Sequence, residues 1–196
     1  MKKKTIKSLK LKDIKHFIDF ILEKNLSYES IYNLSVWKLE VLWKYLNSVL
    51  DKKWIMSSWS LVDVLILFIF KKNNFLCLYV DYCGLNALTI KNYFPLSLIG
   101  ETIDQLVNTK IFIQLDLQDV YHWICIRRGN EWKTVFRTCY NYYKYYVMSF
   151  NLINIPATFQ AYINHVMVGL LDIICVMYLD DILIYSSDLK NHMKYI

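Results

Sequence analysis

Three carboxylates stand where apolar sequence would be expected to run unbroken. Asp180 and Asp181 are adjacent, between the β-branched and apolar runs Ile173 to Met177 and Ile182 to Tyr185. That pattern predicts a buried β-hairpin with Asp-Asp at its turn. Asp116 interrupts a second apolar run, Ile111 to Leu117, near its end, which predicts a strand with a terminal carboxylate. A carboxylate among core strands needs a cation to offset its desolvation, and hard oxygen donors suit a divalent ion. A strand-end Asp with a hairpin Asp pair is the donor set that two-metal phosphoryl transfer requires, with ions ~4 Å apart clamping the attacking and leaving oxygens. The plainer reading of the pair is an ordinary hairpin, because Asp is a common turn residue. Spacing alone does not bring Asp116 to the pair.

Positioning such groups takes a sheet and helices to back it. Ile14, Phe17, Ile18, Ile21 and Leu22 repeat at helical spacing and predict a first amphipathic helix, with Asn25 ending it. A second helix is predicted from an N-cap at Ser35 to about Asp51, with Val36, Leu39, Leu42, Leu46, Val49 and Leu50 as its stripe. Leu61 to Phe70 and Phe75 to Asp81 read as a hairpin turning at Lys71-Lys72-Asn73-Asn74. Ile99 to Leu106 reads as a short helix. Tyr121 to Ile126 and Trp132 to Thr138 read as strands about the polar turn Arg127 to Asn130, and Tyr142 to Met148 as another. Pro156 suits a helix start and Gly169 its end, and Asp188 begins a last helix. Hairpins mixed with helices, without strict β-α-β alternation, indicate an α+β fold.

The 196 residues are enough for one domain or one lobe of a larger enzyme, and a hydrophobic content of 56% argues against disorder. Five scattered cysteines, Cys77, Cys83, Cys125, Cys139 and Cys175, form no close metal-binding pair and predict free thiols in a reducing compartment. No signal peptide is recognisable, and the longest strongly apolar run, Val64 to Phe70, is far short of the ~20 residues a bilayer takes. The expected location is therefore intracellular, in cytoplasm or nucleus, with no membrane partner. Residues 1–15 carry seven Lys against one Asp, so the whole formal charge of +6 sits there and the remainder balances.

Five motifs occur in order: Val80-Asp81-Tyr82-Cys83-Gly84-Leu85-Asn86-Ala87-Leu88-Thr89-Ile90-Lys91-Asn92; Leu115-Asp116-Leu117 with Tyr121-His122; Phe136-Arg137-Thr138; Pro156-Ala157-Thr158-Phe159-Gln160; and Tyr178-Leu179-Asp180-Asp181-Ile182-Leu183-Ile184-Tyr185-Ser186. Together they resemble the reverse transcriptase of Gypsy-type LTR retrotransposons, from about Tyr28 to the end of the chain. The resemblance implies a partial polymerase right hand, fingers plus palm, with an antiparallel palm sheet flanked by helices. It implies an organisation of a basic N-terminal extension with its helix over 1–27, and fingers and palm over 28–196, cut short before the primer grip and thumb. Asp116, Asp180 and Asp181 would be the catalytic, metal-holding carboxylates, for two Mg²⁺ ions or Mn²⁺ in their place. Tyr121 would lie under the incoming sugar and exclude a 2′-hydroxyl, Phe150 would line the nucleotide pocket, and Lys71 matches a lysine that reaches the triphosphate. The implied partners are an RNA or DNA template-primer, deoxynucleoside triphosphates, and the remaining polyprotein domains (thumb, RNase H, integrase).

The chain also departs from that family. Cys77 and Cys83 stand where it usually has Arg, and a thiol offers no charge-assisted bond to phosphate. Val120 and Asn151 replace glycines, which permit close backbone approach or φ > 0. Ser149, Ile153 and Ile155 replace Pro, Thr and Ala. The retained carboxylates favour RNA-directed DNA polymerase activity, weakened by these changes. The alternative from another class is a non-catalytic remnant or nucleic-acid-binding fragment of a decayed element.

The charge distribution makes residues 1–15 the expected source of any nucleic-acid affinity of the isolated chain. Each phosphate neutralised contributes roughly −0.9 to the slope of log affinity against log salt on duplex DNA. Deleting residues 1–15 should flatten that slope and weaken binding; an unchanged slope would locate a groove in the charge-balanced body.

Overall fold

The computed structural model describes residues 14–21, 33–60, 64–70, 76–95, 99–107, 109–178 and 181–195. In chain order its elements are α1 (Val36–Asp51), β1 (Ile55–Ser57), β2 (Ile66–Phe70), β3 (Leu76–Val80), α2 (Cys83–Leu88), α3 (Ile99–Leu106), β4 (Ile111–Asp116), β5 (Phe136–Arg137), β6 (Tyr142–Tyr145), α4 (Ile155–Val166), β7 (Cys175–Tyr178), β8 (Asp181–Ser186) and α5 (Leu189–Tyr195). Residues 12–91 with 121–155 form one compact unit, and 92–120 with 156–196 form another. All strand pairing within the sheets is antiparallel, and no helix among the described residues is long and apolar enough to cross a membrane.

In the first unit, α1 begins after Ser35, whose carbonyl accepts from Leu39 N–H at 3.1 Å while its hydroxyl makes no capping bond. Leu42, Leu46 and Val49 are its buried positions, while Val36 is 75% exposed. The stripe facing the core is therefore narrower than the sequence suggests. β6 lies between β1 and β5, and Phe136 packs against Tyr143 and Tyr145 with ring centroids 5.9 and 5.3 Å away. β2 and β3 pair from Ile66 opposite Val80 to Phe70 opposite Leu76; the turn between them, with Lys71, lies outside the described residues.

Three expectations fail in this unit. Residues 14–21 are not a helix. His16 bridges Ile126 in parallel, and Phe20 bridges Thr89 antiparallel. His16 N–H donates to the Cys125 carbonyl and Ile21 N–H to the Leu88 carbonyl. Asn130 Oδ1 accepts from Ile18 N–H at 3.1 Å, and the Lys133 ammonium donates to the Ile18 carbonyl. The segment is an extended strap whose backbone groups are satisfied on both sides. His16 and Ile18 are buried while Lys15, Phe17 and Asp19 are exposed. Ile14 and Ile18 fit a two-residue period as well as a helical one, so this short window could not separate the two.

Nor is Tyr121 to Ile126 a strand: Val120–Trp123 is a 3₁₀ turn. Val120, Tyr121 and Ile124 are buried at helical spacing, and the chain turns extended only at Cys125 and Ile126, which enter single bridges, Ile126 being buried too. The third failure is Trp132 to Thr138, which begins as a 3₁₀ turn over Glu131–Thr134 before the short β5. Thr134 Oγ1 donates to the Glu131 carbonyl at 2.8 Å and accepts from Tyr145 N–H at 3.0 Å, so a hydroxyl stands in for ladder bonds.

The second unit holds the sheet β4-β8-β7 with β8 central. α5 is tied to β8 by a bond between the Ser186 hydroxyl and His192 Nδ1 at 2.9 Å. Gln105 on α3 donates to Asp172 Oδ1 at 3.1 Å, fixing the turn before β7. Gly169 follows α4 at φ +80°, as the C-terminal signal implies. Elsewhere the chain's shortage of glycine is met by Lys53, Asp119, Asn151 and Asp172, all at positive φ.

His16 gives the fold a pH dependence. Burial lowers its pKa from 6.5 to about 4, so below pH 6.5 the unfolded chain takes up a proton that the folded chain refuses. Stability from this group is complete above 6.5 and is lost as pH falls toward 4, by at most about 3 kcal/mol. Urea unfolding of His16→Leu should lack that part of the acid decline; an unchanged profile would assign the decline elsewhere.

Candidate active site

The alternation of β4 decides which of its side chains meet solvent. Ile111, Ile113 and Leu115 are half-buried, and Phe112, Gln114 and Asp116 are exposed. β4 pairs with β8 so that Asp116 lies opposite Asp181, Gln114 opposite Leu183 and Phe112 opposite Tyr185. Directly opposed residues on antiparallel strands project to the same face. The register therefore puts the two carboxylates side by side on the exposed face. Gln114 Nε2 donates to Asp181 Oδ1 at 3.1 Å, the diagonal contact expected between i and j±2 neighbours. The other face of β8 and β7 buries Cys175, Met177 and Ile182, and the carboxylates' own face buries Val176 and Tyr185, so on β8 exposure is confined to the Asp181 end.

Asp181 is also opposite Tyr178 on β7, so only residues 179–180 connect the two strands. Asp180 is in that connection and lies outside the described residues, as does Lys71. Among the described residues no group of three His, Cys, Asp or Glu could hold a metal ion. What the described residues bring together is two carboxylates and one amide donor.

Tyr121 and Phe150 are brought together in the other unit. Tyr121 is buried and Phe150 is 49% exposed, and their rings meet edge to face with centroids 5.3 Å apart. His122, which is not among the candidate site residues, meets Phe150 at 5.4 Å and stacks on Trp54 at 3.9 Å with the rings nearly parallel. Asn151, next to Phe150, sits at φ +77°, so the backbone does need the left-handed region where the family has Gly. Asn is among the side-chain residues that visit it most readily. Val120 replaces the other glycine without that demand: the positive φ belongs to its neighbour Asp119, and Val120 is buried. Cys77 is half-buried on β3, opposite Ile69, and Cys83 is exposed at the start of α2, where its N–H donates to Asp81 Oδ1 at 3.0 Å.

Comparison with known proteins identifies the family. Residues 71–196 match the model described as reverse transcriptase (RNA-dependent DNA polymerase). The Transposon Tf2-3 polyprotein of Schizosaccharomyces pombe, from a Gypsy-type LTR element, is 33% identical over 165 residues. The Tf2-7 polyprotein of the same organism is 32% identical. Each match takes in 84% of this chain, and the chain spans 12% of the polyproteins' length. The fold is similar to that of the foamy viral protease-reverse transcriptase in complex with RNA/DNA hybrid, with a TM-score of 0.81 at 16% identity, over 92% of this chain and 24% of that one. In complex with dsDNA the foamy viral protein gives 0.77 at 15% identity, over 94% and 36%. The chain belongs to the reverse transcriptase family, and its mixed helix and antiparallel-sheet fold is that of the polymerase domain.

Like charges directly opposed across strands destabilise a sheet by roughly 0.2–1 kcal/mol. In a chelating buffer, Asp181→Asn should therefore raise the melting temperature, because the amide oxygen still accepts from Gln114 while the repulsion from Asp116 goes. Adding Mg²⁺ should raise the melting temperature of the natural chain more than that of the variant. The same rise in both would place the ion elsewhere.

Proposed function

We propose that this member of the reverse transcriptase family is the RNA-directed DNA polymerase domain of a retrotransposon polyprotein, built to extend a primer on an RNA or DNA template with deoxynucleoside triphosphates, and that this activity is impaired in the chain. The observation that supports the reading best is the opposition of Asp116 and Asp181 on an exposed sheet face. Like charges directly opposed across a sheet cost stability, and a shared cation would offset that cost. Two carboxylates with substrate phosphates are the usual donor set for Mg²⁺, so the residues present fit the ion; Asp116 and Asp181 would hold it, with Asp180 as the third carboxylate. When bound, such ions, with Mn²⁺ as a substitute, supply charge neutralisation at the attacking and leaving oxygens.

The chain's own residues do the rest by positioning. Gln114 holds one oxygen of Asp181, which restricts the carboxylate's rotation. Tyr121 and Phe150 offer the sugar a rigid wall: the buried ring is fixed, and the exposed one stands edge-on against it. A 2′-hydroxyl meeting that wall would lose its water without gaining a partner. Lys71 would reach the triphosphate. At Cys77 the thiol gives no charge-assisted bond, so the triphosphate is held more loosely than in relatives with Arg there. Because phosphoryl transfer depends almost entirely on positioning and electrostatics, such a domain would bind nucleotide yet support little turnover. The template-primer and the thumb, RNase H and integrase of a longer polyprotein are the partners this reading requires.

Equilibrium binding of dUTP tests it. Binding should require Mg²⁺ and be lost in the double variant Asp116→Asn, Asp181→Asn; binding that ignores the ion or survives the variant would contradict the reading. Primer extension on a homopolymer template with Mg²⁺ or Mn²⁺ should stay at the background of an Asp180→Asn, Asp181→Asn control. Clear extension, absent from that control, would overturn the impairment.

A further inference from the structure

The loop that carries Phe150 belongs to neither sheet nor helix, yet side-chain amides hold it at three points. Asn86 on α2 donates from Nδ2 to the Asn151 carbonyl at 2.7 Å and accepts at Oδ1 from Ile153 N–H at 2.9 Å. One amide thus reads a carbonyl and an N–H two residues apart, as a neighbouring strand would. Asn151 Nδ2 donates to the Val80 carbonyl at 3.1 Å, and Asn154 Nδ2 to the Ile90 carbonyl at 2.8 Å. Asn86 is itself anchored: its N–H donates to the Tyr82 carbonyl at 2.7 Å, and the buried Tyr82 hydroxyl donates to the Thr134 carbonyl at 2.9 Å.

Phe150 needs such a brace. Its edge-on contacts with Tyr121 and His122 are individually weak and do not by themselves fix the backbone that carries the ring. Its neighbour Asn151 holds a left-handed conformation, φ +77°, which a non-glycine residue keeps only when its surroundings impose it. The Asn86 and Val80 bonds impose it from both the main chain and the side chain of Asn151.

We propose that Asn86 is a positioning residue for sugar selection. Its amide sets the height of Phe150 against Tyr121, and that height decides whether a 2′-hydroxyl can be seated. The proposal rests on the reading that Tyr121 and Phe150 face the sugar of the incoming nucleotide. Asn151 carries part of the same load through Val80, so a residue that departs from the family's glycine supplies a bond glycine could not.

The test joins hydrogen exchange with the ratio of dUTP to UTP affinity in the full chain with Mg²⁺. Ala is a better helix former than Asn, so Asn86→Ala does not of itself weaken α2. Losing both bonds should raise exchange of the 150–154 amides about tenfold, without a matching rise elsewhere, and lower the dUTP preference about tenfold while UTP affinity holds. Should Asn86→Ala unfold, Asn86→Asp decides, because it keeps the acceptor for Ile153 and sets an oxygen against the Asn151 carbonyl. Asn151→Gly keeps the backbone conformation, removes the Val80 bond alone, and should show a smaller change of both quantities. Unchanged exchange in the loop would overturn the clamp, and raised exchange with the dUTP preference intact would overturn its role in selection. If the natural chain binds neither nucleotide, the polymerase reading and the selection role fail together, while exchange alone still decides whether Asn86 holds the loop.

Discussion

Two carboxylates held opposite each other on antiparallel strands repel, and a sheet keeps such a pair only if its register is fixed by something stronger. Here the ladder between β4 and β8 fixes it. The strands pair without a break from Ile111 opposite Ser186 to Asp116 opposite Asp181, and β7 continues the pairing on the far side of β8. A slip of one residue would turn the buried Ile182 outward and Asp181 into the core. The repulsion at the end of the sheet is therefore sustained by apolar burial along its length. On the proposed reading, a divalent ion bound at the end of the sheet would remove a cost already present in the fold.

The other unit solves a different problem with different means. Its strands are short, with β1 and β5 only three and two residues long, so ladder bonds cannot carry the architecture. Side chains take over. Thr134 substitutes for backbone at the start of β5. Asn130 and Lys133 hold both backbone groups of Ile18 in the strap. Asn86, Asn151 and Asn154 hold the loop around Phe150. Lys133 also lies 4.4 Å over the Phe20 ring. Burial lowers its pKa more than the Asp19 charge raises it, which is the cost of using an ammonium as a structural donor to a carbonyl.

What could be read in the sequence was whatever repeats along a single element. The alternation through Ile111 to Asp116 marked a strand with a carboxylate at its end. The apolar runs about Asp180 and Asp181 marked a hairpin, and the stripe from Leu42 to Val49 marked a helix. What could not be read was whatever depends on a partner distant in sequence. The opposition of Asp116 to Asp181 came from resemblance, because spacing carries no register between elements. Residues 14–21 fit a helix until pairing with Cys125, Leu88 and Thr89 imposed extension. Tyr121 lay in an aromatic run typical of strands, but the positive φ of Asp119 turns the chain into a helical turn. His122 and Asn86 stand inside the recognised motifs, but nothing local assigns them a role, because their partners are distant in sequence. Asn151 was the instructive case: its side chain suggested loss of a glycine's freedom, yet it takes up the left-handed conformation and bonds Val80.

The central claim is that the Asp116–Asp181 pair is a divalent-cation site. Paramagnetic broadening by Mn²⁺ in the NMR spectrum of the full chain tests it most directly, since broadening falls off steeply with distance from the ion. Signals of residues 114–116 and 181–183 should broaden first, and Asp116→Asn should abolish that broadening while leaving the spectrum otherwise intact. Broadening centred elsewhere, or unchanged in Asp116→Asn, would contradict the account.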